Sequence, residues 1–218
     1  MTRKSYAICG LGSFGTRLAQ ELSAAGHTVL ACDINPQRVE VLRDQVTGAV
    51  IADISNPDAI RELDIAKFDV VILSMSSFFE KQILALTLLK EQGARRVLVK
   101  ATSDIQEKIL YQLGADEVIQ VEQYVAERLS KRLSLNNITD FIEFRGEAIA
   151  EVTVPEKMHG KLLKDLNLRQ HGFVTVLLVH KAGRSGHDTP GPDSCLEAGD
   201  RLTVFGNQQA IIDIFQED

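Results

Sequence analysis

Between an apolar run, Tyr6-Ala7-Ile8-Cys9, and a stretch of helical periodicity that stops at Gly26 stands the hexamer Gly10-Leu11-Gly12-Ser13-Phe14-Gly15. A second apolar run over 28–32 closes on Asp33. Few folds accept that order. The first glycine allows a tight turn, the second lets the backbone approach a diphosphate, and the third lets the helix pack closely on the strand. The spacing therefore predicts a nucleotide-binding βαβ unit with Gly10, Gly12, Ser13, Phe14 and Gly15 at the diphosphate. The diphosphate would meet the free N–H groups and positive dipole end of the helix that opens near Ser13. Asp33 stands where a carboxylate accepts hydrogen bonds from ribose hydroxyls, and its charge disfavours a 2′-phosphate.

The alternation continues beyond this unit. Strands are expected over 49–52, 69–74, 96–100 and 117–121, with helices over 36–45, 57–63, 79–91 and 105–113, two of them stopped by Gly93 and Gly114. That order predicts an α/β fold, a Rossmann-like doubly wound parallel sheet. Over 123–135 the apolar residues Val125, Leu129 and Leu133 recur every fourth position, which predicts one more helix. Asn136-Asn137 reads as its cap and linker. The pattern then changes to antiparallel β signals over 141–144, 148–154, 174–180 and 201–205. A small α+β C-terminal domain is expected over 138–218, after a nucleotide-binding domain over 1–137. Residues 182–193 carry Gly183, Gly186, Pro190, Gly191 and Pro192 and read as a turn-rich loop, and 197–200 as a hairpin turn.

Composition narrows the chemistry. Of 218 residues, 24 are Lys or Arg and 30 Asp or Glu, so a basic stripe for nucleic acid is not expected. The apolar runs are too short to span a bilayer, which takes about 20 residues. Cys9, Cys32 and Cys195 lack CxxC spacing, and the first two lie inside apolar strands as small hydrophobes. His27, His159, His171, His180 and His187 fall in no metal-ligand spacing. Neither a GxSxG elbow nor a GxxxxGK[ST] loop occurs. Binding without turnover fits these residues better than catalysis.

Taken in order, the motifs resemble the RCK (regulator of potassium conductance) proteins, regulatory subunits of Trk/Ktr-type potassium uptake systems. In the N-terminal part the resemblance is carried by residues 8–15, Ala31-Cys32-Asp33-Ile34-Asn35, Val50-Ile51-Ala52-Asp53, Val99-Lys100-Ala101 and Leu113-Gly114-Ala115-Asp116, with Glu122 after them. In the C-terminal part it is carried by Gly160-Lys161-Leu162-Leu163, residues 166–168, Pro190, the run 196–202 and Gly206. The resemblance implies a cytoplasmic protein, not an enzyme, peripheral to the inner face of the cell membrane through its partner, a membrane-embedded potassium transporter subunit. It implies a homodimer that assembles into a homo-octameric ring, switched by ATP against ADP or by NAD(H).

By the same resemblance, Gly10, Gly12 and Gly15 form the diphosphate loop, Asp33 meets the ribose, Asp53 lies beside the adenine and Ser74 lines the base pocket. Lys100 lies close to the nucleotide, and Glu122 helps to hold a divalent cation, Mg²⁺ or Ca²⁺, at the dimer contact. The residues alone also read as a solvated strand-end lysine and an ordinary loop carboxylate. Helix 123–135 is implied to cross to the neighbouring subunit, although its apolar face would equally cover its own sheet. Ser13 stands where many relatives carry an arginine that reaches the terminal phosphate, and Arg17, one turn later, reads as a solvent-facing residue or as its substitute. A groove between paired C-terminal domains, near Arg169 and His171, is implied to take cyclic di-AMP in some relatives. Two other readings share these motifs: a regulatory module of another cation transporter or antiporter, and an NAD-dependent oxidoreductase, for which the C-terminal part offers little substrate domain.

Overall fold

The computed structural model describes residues 2–75, 78–135, 137–170 and 172–216, so Asn136 and His171 lie outside the described residues. The chain divides into two compact units, Met1–Tyr124 and Val125–Asp218.

In the first unit six strands run parallel: β1 (Ser5–Cys9), β2 (Thr28–Asp33), β3 (Gly48–Ile51), β4 (Val70–Leu73), β5 (Val97–Lys100) and β6 (Glu117–Ile119). Their order across the sheet is β3-β2-β1-β4-β5-β6. The central strands are apolar at successive positions because both faces are covered. Ala7, Cys9, Val71, Leu73, Val97 and Val99 form one core with helices α3 (Pro57–Glu62), α4 (Phe79–Glu91) and α5 (Asp104–Gln112). Ile8, Val29, Ala31 and Ile72 form the other with α1 (Ser13–Ala24) and α2 (Pro36–Leu42). Two Asn-Pro pairs start helices by the same chemistry. The Asn35 and Asn56 side chains accept from the Gln37 and Asp58 N–H groups, while Pro36 and Pro57 occupy first-turn positions that need no N–H.

Helix α6 (Val121–Ser134) straddles the division between the units and buries none of its residues. Val125, Leu129 and Leu133 are exposed along it.

The second unit is a four-stranded antiparallel sheet, β7 (Ile138–Phe144), β8 (Glu147–Thr153), β9 (Thr175–His180) and β10 (Arg201–Asn207), in the order β7-β8-β10-β9. Arg145 and Gly146, both at positive φ, make the two-residue turn between β7 and β8. β8 and β10 alternate buried and accessible residues, and their inner face is covered by α7 (Gln208–Phe215) through Ile211 and Phe215. That helix was not expected from the sequence. The hairpin expected at 197–200 is corrected: the turn exists, with Asp200 N–H donating to Glu197 O at 3.0 Å, but Cys195 before it bridges to Leu162 while β10 pairs with β8 and β9. Asp200, fully buried, accepts from Lys181 Nζ at 2.8 Å and from the Glu197 and Ala182 N–H groups. That carboxylate therefore fixes the turn.

Candidate functional site

The sheet order reverses at β1, whose neighbours β2 and β4 send the chain to opposite faces, and the crevice beyond the strand ends there is the position at which open α/β sheets bind ligands. A cavity of about 430 Å³ occupies it. Gly10, Gly12, Ser13, Phe14, Gly15, Asp33, Asp53, Ser74 and Lys100 all line this one cavity. Glu122 does not line it but reaches it indirectly, because its carboxylate accepts from Lys100 Nζ.

The glycine loop is held from three sides. Gly10, at φ +99°, donates its N–H to Cys32 O at 2.8 Å, and the Ser74 hydroxyl donates to Gly10 O. A Cβ on Gly15 would lie 2.1 Å from Gly10 O and 2.6 Å from Ser74 Oγ, so only glycine allows α1 to approach. A Cβ on Gly12 would meet nothing within 4 Å. Packing therefore does not require the second glycine, which lines the cavity. The first intrahelical donor of α1 is Thr16 N–H, to Gly12 O at 2.9 Å, and no side chain caps the helix. Its leading N–H groups are left to whatever occupies the cavity.

Asp33, only 7% exposed, is built more deeply into the loop than its expected ribose role required. One carboxylate oxygen accepts from Leu11 N–H at 2.6 Å and the other from Asn35 N–H at 2.8 Å, while Arg38 Nη1 lies 3.5 Å away. It thus joins the glycine turn to the start of α2. Ser74 likewise has its hydroxyl turned to the Gly10 and Cys9 carbonyls, so it clasps the loop as well as lining the cavity.

Asp53, after β3, accepts from Lys81 Nζ at 2.7 Å and from Ser55 Oγ at 2.6 Å and N–H at 3.0 Å. The Lys81 ammonium and then the Ser55 donors hold its carboxyl below the usual carboxylate range. Lys100 is 8% exposed at the end of β5, and its bond lowers the Glu122 carboxyl in the same way. Arg17 does not line the cavity; its guanidinium pairs with Glu21 at 2.6 Å on the exposed side of α1. The cavity also takes in Arg38, Lys81, Met75 and Phe78, which the sequence reading missed. Each follows the end of β2 or β4 by two to eight residues, so the strand order was the signal that could have found them.

Cys9 and Cys32 face each other in register on β1 and β2, and the contact with Cys32 together with burial pushes the Cys9 thiol well up. Among the described residues no group of three or more His, Cys, Asp or Glu side chains is placed to hold a metal. In the second unit a separate cavity of about 380 Å³ is lined by Arg169, Asn167, Thr175 and Pro190 among others. No helix of the described residues is long and apolar enough to cross a membrane.

Residues 6–121 match the TrkA-N domain and residues 149–217 the TrkA-C domain. The chain is 32% identical over 209 residues to the Ktr system potassium uptake protein A of Vibrio alginolyticus, covering 95% of this chain and 94% of that one. It is 30% identical over 206 residues to the Ktr system potassium uptake protein C of Bacillus subtilis, covering 94% and 93%. Among solved structures, the GsuK channel bound to NAD superposes with a TM-score of 0.64 at 18% identity, over 98% of this chain and 39% of that one. This chain thus spans about two fifths of the channel polypeptide whose fold it shares.

Proposed function

This chain belongs to the family defined by the TrkA-N and TrkA-C domains, and on that premise we propose that it is the nucleotide-sensing regulatory subunit of a membrane potassium uptake system. The observation that carries the reading is the cavity at the β1 switch point, with a glycine loop whose second glycine leaves open space and whose helix presents free N–H groups. An adenine nucleotide, ATP or ADP or NAD(H), takes its diphosphate to Gly10, Gly12, Ser13, Phe14 and Gly15 and its adenosine to the side of Asp33 and Asp53. Lys100 lies near the phosphates. Both relatives align over more than nine tenths of their length and are potassium uptake proteins, which favours that partner over another cation transporter or antiporter.

Helix α6 supports the dimer. A helix that buries nothing while presenting Val125, Leu129 and Leu133 is completed by a second copy. Glu122 stands in the first turn of that helix, and its carboxylate oxygens suit Mg²⁺ or Ca²⁺ once Lys100 turns to the nucleotide. In this reading the remaining ligands would come from the nucleotide or the second copy. Dimers assemble into an octameric ring docked on the transporter at the inner face of the membrane. We place the domain boundary at 137/138, with α6 as the crossover element. The cavity at Arg169 is where a second effector such as cyclic di-AMP would meet the TrkA-C domain.

The nucleotide acts by binding two ring states unequally, and the protein needs no catalytic group for that. Moving a switch from 1:99 to 99:1 takes about 5.5 kcal/mol, so eight sites sharing the task need about 0.7 kcal/mol each. The test is potassium-limited growth of a bacterium lacking its own uptake systems, carrying a Ktr-type membrane subunit and this chain. Wild type restores growth, and Gly12→Val, equally abundant, does not. Equal rescue by both would remove the nucleotide from the mechanism.

A further inference from the structure

We propose that Cys9 and Cys32 are a redox-modification site: a hydroperoxide closes them into a disulfide beneath the glycine loop, and that bond loosens the cavity's hold on its ligand. Register brings the two sulfurs together. Cys9 on β1 and Cys32 on β2 are direct partners across the parallel pair, and both belong to the same core. Neighbouring strands lie about 4.8 Å apart, inside the range of about 4.4–6.8 Å that the Cα atoms of a disulfide span. Both residues are buried free thiols. Packing alone asks for two small apolar side chains there and does not require that both carry sulfur.

Access differs between the two. Cys32 is part of the cavity lining and Cys9 is not, so a small hydroperoxide that enters the cavity meets Cys32 first. With hydrogen peroxide, the Cys32 thiolate attacks one oxygen, the O–O bond breaks, and the departing hydroxide takes up the thiol's proton as water, leaving a sulfenic acid. Cys9 then attacks the Cys32 sulfur, the S–O bond breaks, and the Cys9 proton leaves with the oxygen as a second water. The sulfurs lose two electrons in all, and the peroxide gains them. The contact with Cys32 and then burial push the Cys9 thiol well up, so it keeps its proton until the second step.

The new bond acts where the loop is held. Gly10 N–H donates to Cys32 O and Ser74 N–H to Cys9 O, each at 2.8 Å, and Asp33, next to Cys32, accepts from Leu11 N–H. The Cβ atoms of a disulfide stand about 3.5–4.5 Å apart, so closure draws the ends of β1 and β2 together under those three hydrogen bonds. The effect on the ligand rests on the adenine-nucleotide reading of the cavity, and the disulfide itself does not.

The test uses the full-length protein carrying Cys195→Ser, which removes the exposed thiol and with it crosslinks between molecules. Reduced protein is treated with hydrogen peroxide in native buffer, blocked with N-ethylmaleimide and digested for mass spectrometry. The expected product joins the Cys9 and Cys32 peptides, two hydrogens lighter than the separate pair, and dithiothreitol restores both thiols. The oxidised protein binds a fluorescent adenine nucleotide at least ten-fold more weakly, and dithiothreitol recovers the affinity. Cys9→Ala, which leaves Cys32 without a resolving thiol, gives no linked product and is labelled by dimedone at Cys32. Recovery of Cys9 and Cys32 as free thiols, after a treatment that oxidises Cys195 in the wild type, overturns the inference. So does a linked product that forms only in urea, or a native disulfide that leaves nucleotide affinity unchanged. If the reduced protein binds no adenine nucleotide, the functional reading fails, while the peptide map still decides the thiol pair.

Discussion

Three glycines share one loop and do different work, and single substitutions separate them. Gly15 is fixed by packing, since any side chain there collides with the Gly10 carbonyl and Ser74 hydroxyl. Gly15→Ala should lower the melting temperature of the first unit markedly, by several kcal/mol equivalent, as overpacking at an unyielding backbone does. Gly12→Val should lower the melting temperature far less than Gly15→Ala and abolish nucleotide binding, because a Cβ there meets no atom within 4 Å and the residue lines the cavity. Thermal unfolding followed by fluorescence distinguishes the two. Asp53 offers an electrostatic test. Its carboxyl is lowered first by Lys81 and then by Ser55, so its contribution to stability is present above the ordinary carboxylate pKa and is lost as pH falls through the lowered folded value. Lys81→Met should raise that pKa toward, but not to, the ordinary carboxylate value, because the Ser55 donors remain. An NMR titration of the Asp53 carboxyl carbon reads the shift directly. The stability change itself should stay below about 1 kcal/mol, since both side chains are two fifths exposed.

At the scale of elements, α7 and α6 make opposite predictions. Phe215 is fully buried against β8 and β10, so Phe215→Ala should destabilise the second unit by about 3–5 kcal/mol in chemical denaturation. Leu129→Asp with Leu133→Asp should cost the folded monomer far less than Phe215→Ala and shift a dimer to monomers in light scattering, because both side chains are exposed in the single chain. The same two helices show what was legible in the sequence. Helix α6 was expected over 123–135 from a strict fourth-residue repeat, and it runs Val121–Ser134. Helix α7 was overlooked because eight residues with an apolar centre read equally as strand. Its cap, Asn207 accepting from Ala210 N–H at 3.1 Å, was the available signal. The first sheet was readable because parallel strands buried on both faces stand out as short, nearly unbroken apolar runs between helices. In the site, the glycines and Asp33 were readable because they are local to one turn. Arg38, Lys81 and Phe78 were not, because their place at the cavity depends on which strand lies beside which.

For the whole molecule, the chain carries a TrkA-N and a TrkA-C domain, and the family's potassium uptake relatives span both. On the proposed function, a ligand in the first unit would change flux only by favouring one arrangement of subunits, so mutations that break the proposed dimer should uncouple binding from transport without abolishing binding. The most direct measurement is displacement of a fluorescent adenine nucleotide from the purified wild-type protein and from Gly12→Val, both shown to be folded at the temperature of the assay. Saturable binding to the wild type, displaced by NADH and absent from the variant, is the predicted result. Equal affinity in the two proteins, or no binding to either, would contradict it.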